Sequence, residues 1–288
     1  MNPDHFKLTE PDGGRSSSVI FASPHSGRDY SPAFIAQSNL DMLALRSSED
    51  AFVDKLFMAA ESFGSPLLCA LAPRAYVDLN RAADELDSAV IDGLTLRSTN
   101  ARVASGLGVI PRVVSHGRAI YQGKMTVDDA MRRLDAVWHP YHTTLARLMH
   151  SNVERFGESI LIDCHSMPHD AIQSFARPGV KRPNVVLGDR YGSSASATLL
   201  ALVEAAFTRQ GFQVSRNAPF SGAYIVQQYG RPSRNQHAIQ VEIDRAMYMN
   251  EQTIQPSANF LNVQIRLTAA IEEIAAIGRM GMARLAAE

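Results

Sequence analysis

Residues 159–164 read SILIDC, an apolar run of the length and composition that forms a buried β-strand. Comparable short runs recur at residues 18–22, 66–71, 184–188, 213–215, 223–226 and 238–243. Between them lie longer segments whose apolar residues repeat with helical spacing, at residues 50–63, 126–155 (with a kink expected at Pro140), 194–210 and 259–287. Strands that alternate with helices predict an α/β domain with a mixed, mostly parallel sheet. Because no linker is evident, we expect one domain over residues 1–288.

The composition is that of an ordinary globular chain and excludes several classes of function. Of 288 residues, 45% are hydrophobic and 20% are charged, and 28 basic residues balance 29 acidic ones. The formal net charge of −1 gives no general attraction to nucleic acid or to anionic membranes. No stretch approaches the roughly 20 apolar residues that span a bilayer, and residues 1–14 lack the apolar segment of a signal peptide. The two cysteines, Cys69 and Cys164, fit a reducing compartment, so we expect a cytoplasmic protein.

Two of the predicted strands are followed directly by a histidine. The strand at residues 18–22 leads into SPHSG, which carries His25, and the strand at residues 159–164 leads into His165. Ligands of open α/β sheets bind beyond the carboxyl ends of the strands. Taken singly, either imidazole reads as an ordinary hydrogen-bonded loop histidine, but their parallel placement favours a shared zinc site. Asp163 lies close enough in sequence to orient His165.

A catalytic zinc ion takes three protein ligands and keeps one position open. A carboxylate suits the third position, and the sequence SSED at residues 47–50 opens a predicted helix. Glu49 and Asp50 would equally well cap that helix and stabilise its dipole. The residues alone leave capping and metal ligation as alternatives.

Further polar residues follow or interrupt apolar runs. Asn80 and Arg81 stand side by side after residues 77–79 and together suit a carboxylate, although Arg81 would also pair with acidic residues on a helix surface. Glu242 lies in an otherwise apolar strand, where a carboxylate is costly to bury unless it is paired or used. It is a candidate general base, and the alternative is that strand alternation turns it toward solvent.

Five short motifs of the sequence resemble those of a known protein family. The motifs SPHSG (23–27), DLNR (78–81), GVIPR (108–112), IDCHSMP (162–168) and HAIQVEI (237–243), in that order, are similar to those of the N-formylglutamate amidohydrolases. The resemblance extends from about Val19 to Met249. It implies a three-layer α/β/α domain related in architecture to zinc carboxypeptidases and the aspartoacylase group, with one metal ion at the carboxyl edge of the sheet.

The resemblance also implies roles for individual residues. His25 and His165 would bind zinc, Asn80 and Arg81 would hold a substrate carboxylate, and Glu242 would act as base and then as acid toward the leaving amine. Zinc carboxypeptidases have a glutamate three residues after the first histidine, whereas this chain has Arg28. The carboxylate ligand is therefore assigned to Asp50, with Glu49 as the next choice. Arg28 is left as a second contact for an anion.

The activity implied is hydrolysis of N-formyl-L-glutamate, or of a related N-acyl acidic amino acid, within histidine degradation. Such a substrate is a small dianion and needs two cationic partners, for which the candidates are Arg28, Arg81, Arg112 and Arg231. Arg112 is also the candidate for stabilising the oxyanion of the tetrahedral intermediate. His237 and Tyr224, with Tyr229, are expected to line the pocket.

Two other functions compete with this interpretation. Cys164 would serve as the nucleophile of a cysteine hydrolase, but adjacent residues of a strand point to opposite faces, so His165 is badly placed as its base. A non-catalytic binding protein for an acidic metabolite would keep Asn80 and Arg81 and would tolerate the loss of Glu242. His139 and His142, beside Trp138 in a predicted helix, are expected to be packing or surface residues.

Overall fold

The computed structural model describes residues 5–11, 15–94, 100–173 and 182–285, with side chains as far as residue 279. The described residues divide into two compact units. One is drawn from Met1–Lys7, Pro24–Ala51 and Cys69–Thr144, and the other from Leu8–Ser23, Phe52–Leu68 and Leu145–Glu288. The extent of the predicted single domain, residues 1–288, stays a prediction.

A seven-stranded sheet runs through the described part of the chain, and two pairs of two-residue strands accompany it. The strand order in the large sheet is β1-β3-β2-β6-β9-β7-β8. Strands β2, β6 and β9 are parallel neighbours, and β7 is antiparallel to β9. The bounds are β1 Phe6–Thr9, β2 Val19–Ser23, β3 Leu67–Ala70, β4 Ile91–Asp92, β5 Met125–Thr126, β6 Ser159–Met167, β7 Val185–Gly188, β8 Val214–Arg216, β9 Gln236–Asp244, β10 Met249–Asn250 and β11 Gln255–Pro256.

Helices of very different length connect these strands. The α-helices are α1 Pro32–Ala36, α2 Met42–Arg46, α3 Val53–Leu56, α4 Ala101–Ala104, α5 Val127–Arg133, α6 His139–Phe156, α7 Asp170–Gln173, α8 Ala197–Arg209, α9 Tyr224–Tyr229 and α10 Phe260–Leu285. Single turns of 3-10 helix lie at Met58–Phe63, Ser115–Gly117, Pro232–Arg234 and Arg245–Met247. Polar side chains cap the start of several helices. The Ser196 hydroxyl, for example, accepts a hydrogen bond from the Leu199 amide at the start of α8.

The burial of the central strands explains why they read as continuous apolar runs. Every residue of β2, β6 and β7 is buried, whichever face of the sheet its side chain occupies. A strand that is buried on both faces lies between covering layers, as in parallel sheets of α/β proteins. The predicted α/β class with a mixed, mostly parallel sheet is therefore confirmed. In the described ranges, no helix is long and apolar enough to cross a membrane.

Helix α10 packs closely against the start of β2. The Ser17 hydroxyl donates to the carbonyl of Ala275, 2.7 Å away. A Cβ on Gly278 would collide with the hydroxyls of Ser17 and Ser18, so only glycine allows this approach. The contact fixes the strand that leads directly into His25.

Two local predictions were wrong. Residues 223–226, predicted as a strand, begin helix α9, because a short apolar run does not distinguish a strand from a buried helical turn. The helix expected over residues 50–63 breaks into α3 and a 3-10 helix. The kink expected at Pro140 stays a prediction, and a π-helical turn at Leu134–Trp138 ends two residues before this proline. This wider turn accommodates the missing proline N–H and the contact of its ring with the preceding turn.

Candidate active site

Four buried polar side chains share one face of the sheet near the carboxyl ends of β6 and β9. In the β6–β9 ladder, Asp163 pairs with Gln240 and His165 pairs with Glu242. Side chains two residues apart on a strand, and those of directly paired residues, lie on the same face. All four are at least nine-tenths buried. Glu242, only 8% exposed, therefore does not face solvent, which was the alternative left open by the sequence.

His25 lies two residues beyond the end of β2, in a turn held by backbone contacts. The amide of Asp50 donates to the carbonyl of His25 at 3.0 Å, and the amide of Asp29 donates to the carbonyl of Leu71 at 2.9 Å. Gly27 lies directly against the backbone of Ala72, and a Cβ there would collide with the carbonyl oxygen. These contacts direct Nδ1 of His25 toward Asp50, 3.5 Å from Oδ2.

His25, Asp50 and His165 form a buried group that could hold a metal ion. Their ligand atoms, one from each residue, all lie within 4.8 Å of one another. Two imidazole nitrogens and one carboxylate oxygen are a donor set that suits zinc and leaves a fourth position open. The residues present therefore fit the metal that the sequence predicted.

A buried aspartate lies against Nε2 of each of these histidines. Oδ1 of Asp78 is 2.7 Å from Nε2 of His25, and Oδ2 of Asp163 is 3.0 Å from Nε2 of His165. An Nε2–H that donates to a carboxylate fixes the tautomer and leaves Nδ1 as the ligand atom. Burial alone would raise the pKa of Asp78, but the charges of Arg74, His25 and Arg81 hold that pKa well below its usual value.

The sequence analysis missed the role of Asp78, although it placed Asp163 correctly beside His165. The available signal was the position of Asp78 at the head of the DLNR motif, two residues before Asn80. Asp78 also accepts a hydrogen bond from the backbone amide of Asn80 at 2.9 Å and forms an ion pair with Arg74 at 3.0 Å. The aspartate thus links the histidine to the segment that carries Asn80 and Arg81.

The adjacent carboxylates of Glu49 and Asp50 have different contacts. The Arg46 guanidinium donates to both carboxylate oxygens of Glu49, at 3.0 to 3.3 Å. Glu49 is thus paired with Arg46 just beyond the end of α2, while Asp50 belongs to the group around His25. The geometry favours Asp50 over Glu49 as the carboxylate ligand.

Asn80 and Arg81 are buried and held by main-chain atoms. The Arg81 guanidinium donates to the carbonyls of Leu107 at 2.9 Å and Asn80 at 3.0 Å. Oε2 of Glu85, an acidic residue four positions later in the sequence, is 4.0 Å from Nε of Arg81. The carbonyl of Arg81 accepts from the Trp138 indole at 2.9 Å, so this segment is fixed from both sides.

The other predicted cations differ in their surroundings. Arg112 pairs with Asp87 at 2.9 Å and reaches the carbonyl of Ala104, so its guanidinium already has an anionic partner. Arg231 donates to main-chain carbonyls of its own turn. Arg28 is exposed beside the His25 turn.

The three predicted pocket residues lie at different places on the β9 side of the sheet, with Tyr224 and Tyr229 at the two ends of α9. Tyr224 begins α9, next to Ala223, whose amide donates to Gln240 at 3.0 Å. His237 pairs with Ile160 at the amino end of β9, five residues before Glu242 and on the other face. At about 3.3 Å per residue this is roughly 16 Å from Glu242. That distance does not support a place for His237 in the pocket.

The remaining candidates fall outside the polar face. Cys164 is fully buried on the face opposite His165, so the two side chains do not form a nucleophile–base pair. His139 is exposed near Asp135. His142 is buried, stacks on Trp138 and bonds the carbonyl of Leu79 at 2.9 Å, which agrees with the expected packing role.

The family profile described as N-formylglutamate amidohydrolase matches residues 17–249. The chain belongs to the N-formylglutamate amidohydrolase family. An N-formylglutamate deformylase of Pseudomonas aeruginosa is 31% identical over 237 residues, which cover 81% of this chain and 83% of that protein. An N-formylglutamate deformylase of Pseudomonas putida is 26% identical, with 81% and 82% covered.

Solved structures agree with this membership. The crystal structure of an N-formylglutamate amidohydrolase from Ralstonia eutropha JMP134 is similar with a TM-score of 0.89 and 33% identity, and the match covers 96% of this chain and 99% of that one. A protein of Agrobacterium tumefaciens with 12% identity and a TM-score of 0.64 shares the fold. The recognition of the family from its motifs is therefore confirmed.

Proposed function

We propose that this member of the amidohydrolase family hydrolyses N-formyl-L-glutamate, or a closely related N-acyl acidic amino acid, to the free amino acid and the carboxylic acid. The observation that carries the proposal is the buried group of His25, Asp50 and His165, with Glu242 paired to His165 in the adjacent strand. This arrangement combines three candidate metal ligands with a separate carboxylate, that of Glu242, which can act as a base. The names of the relatives from two Pseudomonas species support the substrate.

The metal proposed is one zinc ion, with His25, Asp50 and His165 as its ligands. When bound, zinc supplies Lewis acidity to the formyl oxygen and to the attacking water. The aspartates behind the two histidines hold the imidazole rings and keep each Nε2–H directed away from the ligand position.

Glu242 moves the proton in this scheme. Its carboxylate takes a proton from water as the water oxygen attacks the formyl carbon. It then delivers that proton to the amide nitrogen as the carbon–nitrogen bond breaks, so that the amine leaves and formate remains. Burial keeps this carboxylate out of bulk water, where competing proton exchange would weaken its role.

The dianionic substrate needs cationic and amide groups. We assign Asn80 and Arg81 to one carboxylate and Arg28 to the other, while Tyr224 lines the pocket beside Glu242. The proposal also includes Arg112 as oxyanion stabiliser and His237 as a pocket residue, although Arg112 is paired with Asp87 and His237 lies at the amino end of β9.

The proposal extends to the setting of the reaction. We place the protein in the cytoplasm, acting in histidine degradation on a small molecule without nucleic acid or membrane. Cys69 and Cys164 are buried and are not joined in a disulfide, which supports a reducing compartment.

The test is formate release by the zinc-loaded protein from a panel of N-formyl and N-acyl amino acids. We expect turnover of N-formyl-L-glutamate, slower turnover of N-formyl-L-glutamine, which lacks the side-chain charge, and loss of turnover after chelation. Equal rates for charged and neutral substrates would contradict the assigned carboxylate contacts. No release from any substrate would contradict the function.

A further inference from the structure

Gln240 lies two residues before Glu242 on β9, and its side-chain amide is engaged at both ends. Its Oε1 accepts from the amide of Ala223 at 3.0 Å, and its Nε2 donates to Oε1 of Glu242 at 2.7 Å. The side chain is 4% exposed. A buried amide with two directed hydrogen bonds has little rotational freedom.

The Ala223 amide determines which way the Gln240 amide faces. A backbone N–H is only a donor, so the group that meets it must be the glutamine oxygen. The NH₂ group is thereby turned toward Glu242. Oε1 of Glu242 accepts this hydrogen bond, which fixes the direction in which the carboxylate faces.

Backbone packing holds the Ala223 end of this chain of hydrogen bonds. Gly188 pairs with Gln240 across the β7–β9 ladder. A Cβ on Gly188 would lie 2.6 Å from the carbonyl carbon of Ser221 and 2.7 Å from the nitrogen of Gly222. The segment that carries the Ala223 amide thus rests directly on the sheet beside Gln240.

We propose that Gln240 is a positioning residue for Glu242: it links the fixed amide of Ala223 to the carboxylate and holds that carboxylate in the orientation that proton transfer requires. The inference rests on the proposed function, because it assigns Glu242 to the proton-transfer step. The inference adds a requirement to the proposed metal site: the Glu242 carboxylate must be held in one orientation by a hydrogen-bond donor at position 240.

Gln240→Glu is the sharpest variant, because it is nearly isosteric and keeps an acceptor for the Ala223 amide, while a second carboxyl group replaces the amide donor beside Glu242. Gln210→Glu is the matched control: Nε2 of Gln210 donates to Oε1 of Glu273 at 2.9 Å, in a pair remote from the polar face of the sheet. We expect kcat of Gln240→Glu to fall about 10- to 100-fold with KM within about threefold, since small misplacements of a catalytic group cost rates of this order. Gln210→Glu should match the parent enzyme.

A double-mutant cycle separates positioning from general stability. In a Glu242→Gln background, Gln240→Glu should lower the residual rate by less than about twofold, because the carboxylate through which it acts is gone. Melting temperature and zinc content are measured for each variant. A kcat within twofold of the parent enzyme, or an equal fractional loss in both backgrounds, would overturn the role of Gln240. If the parent enzyme itself releases no formate, the proposed function fails instead, and the inference fails with it.

Discussion

Oδ1 of Asp78 lies 2.7 Å from Nε2 of His25, and both side chains are buried. A carboxylate in this position fixes the tautomer and raises the basicity of an imidazole ligand. Asp163 stands in the same relation to His165. Each proposed nitrogen ligand is therefore oriented by a residue that would not itself touch the metal.

We expect Asp78→Asn to weaken zinc binding about 10- to 100-fold, because an amide holds the imidazole less strongly than a carboxylate does. Zinc affinity is measured by competition with a chromophoric chelator, and excess zinc should restore much of the formate release. Asp189→Asn is the control, since Asp189 is also buried but contacts Asn217 and Gly192. Unchanged zinc affinity in Asp78→Asn would rule out this orienting role.

Glu242→Gln should separate an enzyme from a binding protein. Loss of a general base lowers rates by about 100- to 10,000-fold, so kcat should fall in that range. Binding of L-glutamate, measured by calorimetry, should persist, because the assigned carboxylate contacts are unchanged. Retention of full turnover would remove Glu242 from the mechanism.

His142 should make stability depend on pH. Burial lowers the pKa of His142 to about 4 from an ordinary value of 6.5. Between these values the unfolded chain binds the proton and the folded chain does not, so the free energy of unfolding falls as the pH drops from about 6.5 to 4. From this titration alone, we expect the free energy of unfolding at pH 4.5 to be lower than that at pH 7 by about 2 kcal/mol.

Urea denaturation of the parent protein and of His142→Gln, at pH 7 and pH 4.5, measures this effect. Glutamine keeps a donor for the Leu79 carbonyl but does not titrate, so the variant should lose less stability on acidification. The comparison subtracts the titration of all other groups. Equal losses in the two proteins would contradict the buried, neutral state of His142.

Trp138→Phe should affect substrate binding more than turnover. The change removes the indole donor to the carbonyl of Arg81 while keeping an aromatic ring against His142. The loss of one neutral hydrogen bond is worth about 0.5–1.5 kcal/mol, so we expect KM for N-formyl-L-glutamate to rise about 2- to 10-fold. Tyr191→Phe, at an exposed tyrosine, is the control. A change confined to kcat would disagree with the assigned role of Asn80 and Arg81.

Much of the fold was predictable because apolar runs directly reflect burial. The strand around residues 159–164 is buried on both faces, and such a strand appears as a nearly continuous apolar sequence. The helix at residues 224–229 was not predictable in this way, since Ile225 and Val226 are buried whether the segment is a strand or a helix. Periodicity needs more residues than this segment offers.

Residues of the candidate site could be predicted from the sequence only where they lie near the end of a predicted strand. His25 follows β2, and His165 lies near the carboxyl end of β6, the parallel neighbour of β2, so their convergence followed from the sheet. The choice of Asp50 over Glu49 depended on Arg46, and the role of Asp78 depended on a contact across 53 residues of sequence. Such partners are set by tertiary packing, which local sequence does not encode.

The most direct test measures zinc content and formate release together in the parent protein, His25→Ala and His165→Ala. We expect about one zinc ion per chain and turnover of N-formyl-L-glutamate in the parent protein, with both lost in each variant. Full turnover by metal-free protein, or unchanged zinc content and turnover in either variant, would contradict a catalytic metal centre at these two histidines.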